Sequence, residues 1–316
     1  MKNKKFLSVS FFFLCTSVVL TVLSFSIVEK KQQDSHSTST NSLEENRAVS
    51  QTTKDYWYDG TAEISSFKLS QAQYGEKHQG TATLVFVTEP FSKKSNTKAD
   101  NNRSDNISVL KLNKTLKFNT GIYPYSMMNT TFFPFEKEST SLKIASSVQE
   151  WCGMTYLEMA NNDKGFLFNF NSYFEGQSYQ DKRISKATLE DDLWSLIRLN
   201  PELLPLGEQN IIPSMLSLRL KHKQPKAYKT IAALKKDEEG ISHYSLKYPD
   251  LERELTIKFE TEFPHRIIGW EDKSPSGYGV GKKMMSSKAE LIKTLKTDYW
   301  NKNGVGDAGW REELGL

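Results

Sequence analysis

From Tyr56 to the C-terminus, apolar and polar residues alternate with a period of two, and this pattern constrains the fold more than any other feature. Leu255, Ile257 and Phe259 point one way while Thr256, Lys258 and Glu260 point the other. Phe166, Phe168 and Phe170 alternate with Asn169 and Asn171, Leu216, Leu218 and Leu220 with Ser217, Arg219 and Lys221, and Tyr244, Leu246 and Tyr248 with Ser245 and Lys247. Half-buried antiparallel strands have this signature, with one face on a core and the other in water. Leu84-Val85-Phe86-Val87 is apolar on both faces and reads as a central strand. About ten to twelve such segments are expected, more than a flat sheet holds without curling. The predicted class is therefore mainly β (α+β), a strongly curved antiparallel sheet or partial barrel. Ser92 to Ile107 reads as a long polar loop.

Two helices are expected against that sheet. The first begins at Thr188, whose hydroxyl sits three residues before Asp191 in a capping-box arrangement; Leu189, Leu193, Trp194 and Ile197 form its apolar stripe and Pro201 stops it. The second runs from about Ser287, with Leu291, Leu295 and Tyr299 on one face.

The N-terminus has a different character. Lys2, Lys4 and Lys5 precede an uncharged apolar run from Phe6 to Val28, so residues 1–28 read as a signal peptide or a signal anchor. The length of the run favours an anchor, whereas Ser24-Phe25-Ser26 offers the small residues of a cleavage site; both alternatives stay open. Either way the basic side stays inside and the rest is exported. Residues 29–54 are Ser, Thr, Gln, Asn, Glu and Lys with few apolar side chains and read as a disordered tether. Residues 55–316 then form a single β-rich extracytoplasmic domain. The expected location is the cell envelope, periplasmic or tethered to the inner membrane through the N-terminal segment.

Charge and cysteine usage narrow the chemistry. Without the three leader lysines, the 42 basic and 38 acidic residues nearly cancel, so the net positive field of a nucleic-acid binder is missing. Cys15 lies in the apolar run, which leaves Cys152 as the one thiol of the exported domain; beside Trp151 it is expected to be buried and inert. His78, His222, His243 and His265 have no metal-ligand spacing, so no metal or other cofactor is indicated. Gly277 to Lys283 looks like a phosphate loop but has Ser276 and Lys283 where a Walker motif needs glycine and Ser or Thr, and it reads as a connector. Glu260, Glu262, Glu271 and Asp272 gather near one strand end and read as solvated surface carboxylates, the alternative being a pair that serves a hydrolase as acid and base.

The chain resembles an uncharacterised family of exported Bacteroidota proteins commonly labelled "septum formation inhibitor Maf". The resemblance is carried by Tyr56 to Ser66, Phe86 to Phe91, Gly121 to Ser126, Ser147 to Gly153, Ser172 to Gly176, Leu193 to Arg198 and Arg311 to Leu316. The label implies a nucleotide pyrophosphatase, but the Ser-x-Ser-Pro-Arg-Arg stretch of the cytosolic Maf enzymes is absent and no catalytic residue is carried over. The expected architecture is also similar to that of periplasmic lipid and lipoprotein carriers. On that basis Phe166, Phe168, Phe170, Leu255 and Phe259 are candidate lining for an apolar ligand, or else filled core. Two functions follow as expectations: a non-enzymatic envelope protein that binds an apolar ligand, a lipid or an envelope partner, and an enzyme, either the labelled pyrophosphatase or an unrecognised hydrolase.

Overall fold

The alternating segments become sixteen strands of one sheet. The computed structural model describes residues 49–101, 103–136 and 140–316. The leader and most of the tether lie outside the described residues; the end of the tether enters a short helix, α1 (Gln51–Trp57), capped by the Ser50 hydroxyl. The first half of the sheet consists of β1 (Ala62–Gln73), β2 (Glu76–Ser92), β3 (Thr97–Lys98), β4 (Ile107–Thr120), β5 (Tyr123–Pro134), β6 (Lys143–Glu150), β7 (Gly153–Asn162), β8 (Gly165–Ser172) and β9 (Tyr179–Ile184). Next come β10 (Thr188–Leu189), α2 (Glu190–Leu199), β11 (Gly207–Ile212) and α3 (Met215–Leu220). The chain closes with β12 (Tyr228–Lys236), β13 (Ile241–Tyr248), β14 (Arg253–Glu260), β15 (Ile267–Ser276), β16 (Lys283–Thr297) and a last short helix, α4 (Gly309–Glu313).

The strand order, β10-β11-β12-β13-β14-β15-β16-β1-β2-β4-β5-β6-β7-β8-β9 with β3 beside β2, is an antiparallel meander whose first strand lies in the middle. The one parallel pair is β10 with β11. The edges, β9 and β10, are not joined, so the sheet is open. It is also strongly curled. On α3, Arg219 donates to Thr155 of β7 (3.2 Å) and nearby Lys221 donates to the Pro275 carbonyl of β15 (2.8 Å). Those two strands stand seven places apart in the order, roughly 33 Å in a flat sheet, so the sheet must wrap around the helix for both contacts to form.

Several expectations need correction. The strand count exceeds ten to twelve. The predicted helix from Ser287 is strand β16, paired with β15 and β1. Its register shifts opposite Ser66/Phe67 and skips Ile292, so the bulge moves the inward phase from Ala289 and Leu291 to Thr294 and Lys296. Leu291 and Leu295 thus lie on opposite faces, and a bulged strand mimics helical spacing. The reverse error occurs at Leu216, Leu218 and Leu220, which form helix α3 rather than a strand. A carboxylate distant in sequence, Asp191, accepts the Met215 N–H (2.9 Å) and starts that helix. Helix α2 exists with its predicted stripe buried, but Thr188 is a strand residue and Leu189 takes the N-cap without a side-chain bond. Cys152 is exposed rather than buried, because it occupies the tip of the β6–β7 hairpin. The Leu84 to Val87 run lies in β2 between β1 and β4, as a central strand should.

The apolar inner face and the two helices form one core. Trp57, Phe67, Phe86, Trp194, Ile197 and Trp270 belong to it, with Trp194 edge-on to Trp270 at 5.2 Å. β1 is buried on both sides, since the C-terminal segment covers its outer face through Leu314, whose carbonyl accepts from Ser66. Among the described residues no helix is long and apolar enough to cross a membrane.

Candidate ligand cavity

Charged residues occupy inward positions of three strands. Even-numbered residues of β4 face the core, and in that phase Lys114 sits between Leu112 and Leu116. Arg253 shares the inward phase of Leu255, Ile257 and Phe259 on β14, and Glu63 that of Phe67 and Leu69 on β1. Helix α2 meets these groups with three buried acids in its first turn.

Each acid has a defined task. Glu190 accepts from Arg253 (2.6 and 2.8 Å) and from Tyr248 Oη (2.7 Å). Arg253 also donates to Asp272 (2.8 and 3.0 Å); burial works against its charge, but Asp272 and Glu190 outweigh burial and keep the guanidinium ionised. Asp191 anchors α3, and burial pushes its carboxyl above the usual carboxylate range against the Met215 and Ser214 hydrogen bonds. Asp192 accepts from the Ser141 N–H (3.0 Å). At the other end of α2, Arg198 forms a two-pronged ion pair with Glu63, and Tyr56 Oη donates to the same carboxylate.

Lys114 differs from these pairs. Its close contacts are aromatic, with Nζ 3.6 Å from the Trp194 ring centroid and 4.8 Å from that of Trp270. Burial pushes its ammonium down to about 8, against the pull of Asp191, Glu190 and Asp272. It lines an inner cavity of about 50 Å³ together with Gln71, Arg253, Ser274 and Ser287. Ser217, Leu220, Lys221, Arg253 and Ser274 separate this space from an outer cavity of about 250 Å³ and line both. The outer cavity lies between α3 and the ends of β1, β14 and β15, with Tyr74, Leu218, Leu251 and Tyr278 among its walls. Its volume approaches that of small-molecule pockets. Lys221, half-buried there, is pushed below the usual lysine range by burial.

The residues nominated from the sequence all face this interior. Phe166, Phe168 and Phe170 on β8 and Leu255 and Phe259 on β14 belong to one core cluster. Phe170 borders a third cavity of about 80 Å³ beside α3, and Leu255 borders the inner cavity. The outer cavity of about 250 Å³ is not beside the phenylalanines but at the far side of α3. The nominated carboxylates do not converge: Glu260 pairs with Arg266, Glu271 with Lys288 (3.2 Å) and Asp272 with Arg253 (2.8 Å), while Glu262 lies in the β14–β15 turn. His243 bonds Asp237 (2.9 Å), His222 bonds Gln177 (3.1 Å), His78 bonds the Gln73 carbonyl (3.1 Å), and His265 follows the turn at Pro264. Among the described residues no group of His, Cys, Asp and Glu is placed to hold a metal ion. Gly277 to Lys283 is the β15–β16 turn, with only a short 3₁₀ segment and no α-helix after it. Lys114 and Arg253 were missed at the sequence level, although a charged residue in the core phase of an apolar strand was a visible signal.

No protein-family model matches the chain, and no curated protein is similar to it. Among solved structures, a porin-like protein from Bacteroides uniformis ATCC 8492 aligns over 73% of this chain and 95% of its own. At 6% identity and a TM-score of 0.17, that likeness carries neither fold nor function across.

Proposed function

We propose that this chain is a non-enzymatic binding protein of the cell envelope, and that the cavity beside α3 holds an amphipathic ligand with an anionic end. One observation carries the reading: a cavity of about 250 Å³, walled by Tyr74, Leu218, Leu251 and Tyr278 together with the charged Lys221, Asp250 and Lys282, adjoins a smaller space that contains Lys114, a buried ammonium whose close contacts are aromatic rings. A buried cation to which no carboxylate is bonded gains from an anion brought in by a ligand. The acids bordering the inner space, Glu190 and Asp272, are both engaged by Arg253, so they offer the ligand's head less competition for Lys114. The apolar leader supports placement in the envelope, and the resemblance to an exported family agrees with it.

Native mass spectrometry of the protein purified from its own envelope tests the reading. A bound amphiphile is expected, together with saturable binding of a dansyl-labelled fatty acid that Lys114→Met weakens at least about tenfold. A ligand-free protein that ignores the probe, or one that releases pyrophosphate from dTTP or UTP, refutes it and restores the enzymatic alternative.

A further inference from the structure

A meander sends alternate connections to opposite ends of the sheet. The turns β1–β2, β4–β5, β6–β7, β8–β9, β13–β14 and β15–β16 lie at one end, together with the connection from α3 to β12. Five of those turns carry a large apolar or aromatic side chain directed into solvent. Ile122 is 83% exposed, Tyr173 75%, Tyr278 73% and Trp151 69%; Val280 is fully exposed and Tyr74 is partly so. At the opposite end, the β2–β3, β7–β8 and β12–β13 tips read Lys93 to Asn96, Asp163-Lys164 and Asp237 to Gly240, and Phe263 of the β14–β15 turn packs on Tyr56 (5.4 Å). The aromatic side chains beside the start of β1 and the end of β16, Tyr58, Tyr299 and Trp300, are no more than half exposed, although Val305 is fully so.

The aromatic groups form a continuous rim. Tyr278 lies 6.0 Å from Tyr74, whose hydroxyl bonds that of Tyr125 (2.5 Å); Tyr125 neighbours Tyr123 (5.9 Å), which stacks on Trp151 (6.3 Å). Tyr173 continues the series, packed so closely on Gly153 that a Cβ there would come within 2.7 Å of it. Tyr74 and Tyr278 also line the outer cavity, so the rim borders its mouth.

We propose that this rim docks on a lipid bilayer, with its tips in the headgroup zone. Trp and Tyr combine an apolar ring with a polar handle and partition to that depth. The charges bias the contact toward anionic lipid. On the cavity side, Lys221, Lys223 and Lys226 of the α3–β12 connection and Lys282 and Lys283 of the β15–β16 turn outnumber Glu76, Asp250 and Glu252, and Glu252 is paired with Lys282 (3.7 Å). Across the rim only Glu150 and Glu175 are charged in the β6–β7 and β8–β9 turns, which orients the cavity mouth toward an anionic surface. Protruding tips spaced around a curved edge suit insertion at several points better than a flat protein interface. This inference stands on the rim itself, independently of the cavity's ligand.

The test uses the full chain in phosphatidylcholine vesicles with and without phosphatidylglycerol, in a Cys15→Ala/Cys152→Ser background. An environment-sensitive fluorophore is attached at Ile122→Cys, Tyr278→Cys or, as the opposite-end control, Lys164→Cys. Because the apolar leader is present in every variant, differences among positions report the rim alone. A blue shift and quenching by spin-labelled lipid are expected at 122 and 278, at least about twofold stronger than at 164 and stronger with the anionic lipid. Trp151→Ser/Tyr173→Ser is expected to reduce the signal at 122 with the circular dichroism spectrum unchanged. Equal exposure to water at the three positions overturns the proposal. So does a blue shift that needs no lipid and grows with protein concentration, since the rim would then be covered by protein.

Discussion

The Glu63–Arg198 pair joins α1, β1 and α2 to the β14–β15 turn, and its loss should be the most damaging single change in the domain. Both side chains are sealed, at 0% and 1% exposure. Arg198 bonds both carboxylate oxygens, the second at 2.7 Å, donates from Nε to the Pro264 carbonyl (3.1 Å) and lies over the Trp57 and Phe86 rings. Arg198→Met keeps much of the volume but strands a carboxylate in the core, which typically costs about 3–5 kcal/mol. For a domain of this size the urea slope is about 3 kcal/mol per M, so the midpoint should fall by roughly 1–1.7 M. Glu63→Met/Arg198→Met removes both charges; it should lose only about 1–2 kcal/mol, far less than the sum of the single changes.

The same pair fixes a sign in the pH profile. Burial pushes the Glu63 carboxyl up, but the Arg198 charge and hydrogen bonds outweigh burial and hold it below the ordinary value. In the native protein its contribution is therefore complete above the unfolded-state value and is lost as pH falls through the lower folded-state value. In Arg198→Met, burial is opposed only by the Tyr56 hydrogen bond and the Lys296 charge, so the carboxyl is expected to take up a proton on folding, and acidification from neutral pH to stabilise instead. Urea melts of both proteins at several pH values decide the matter. A midpoint shift below about 0.3 M, or a double variant as weak as the sum of the singles, refutes the reasoning.

Three further outcomes follow from other sites. Burial holds Lys114 at about 8 in the folded protein, so the unfolded chain binds more protons above that pH and stability rises from about 8 toward the ordinary lysine value, by up to about 3 kcal/mol. Lys114→Met should flatten that rise in alkaline urea melts, and an unchanged slope would contradict its burial. A Cβ at Gly80 would lie 2.1 Å from the Lys117 carbonyl oxygen across the β2–β4 ladder, so Gly80→Ala should cost about 1–3 kcal/mol or more, measured by thermal melting; a neutral result would mean the strands are farther apart. Cys152 should react with a thiol reagent without unfolding, more slowly than a free thiol because its hydrogen bond to Glu150 raises its pKa, and Cys152→Ser should leave the urea midpoint unchanged; a thiol that reacts only in denaturant would restore the buried reading.

Periodicity was reliable wherever a strand kept one alternation along its own length, as in β8, β13 and β14, because a single buried face leaves a period-two record; the register shifts against β8 and β14 place the extra residue in their partners β9 and β15. It failed where one residue or one distant partner changed the rule. The bulge at Ile292 gave β16 a helical spacing, and Asp191 from another helix capped a leucine-alternating segment into α3. The candidate site followed the same division. The apolar residues of the interior were visible as types in phase, and Lys114 and Arg253 were visible as charges in the wrong phase. Their roles were not visible, because Arg253 is neutralised by Glu190, 63 residues away in the chain, whereas the Lys114 ammonium packs on the Trp194 and Trp270 rings.

By itself, then, the order of residues determined that the chain makes a two-faced antiparallel sheet with an apolar interior, since that property is local to each strand. Only the tertiary structure decided how far the sheet curls, which helix fills it, which buried charge is bonded to no carboxylate, and that the turns bearing Ile122, Trp151, Tyr173 and Tyr278 share one rim. These are matters of distance between residues far apart in sequence, and the curl of the open sheet around α2 and α3 sets those distances.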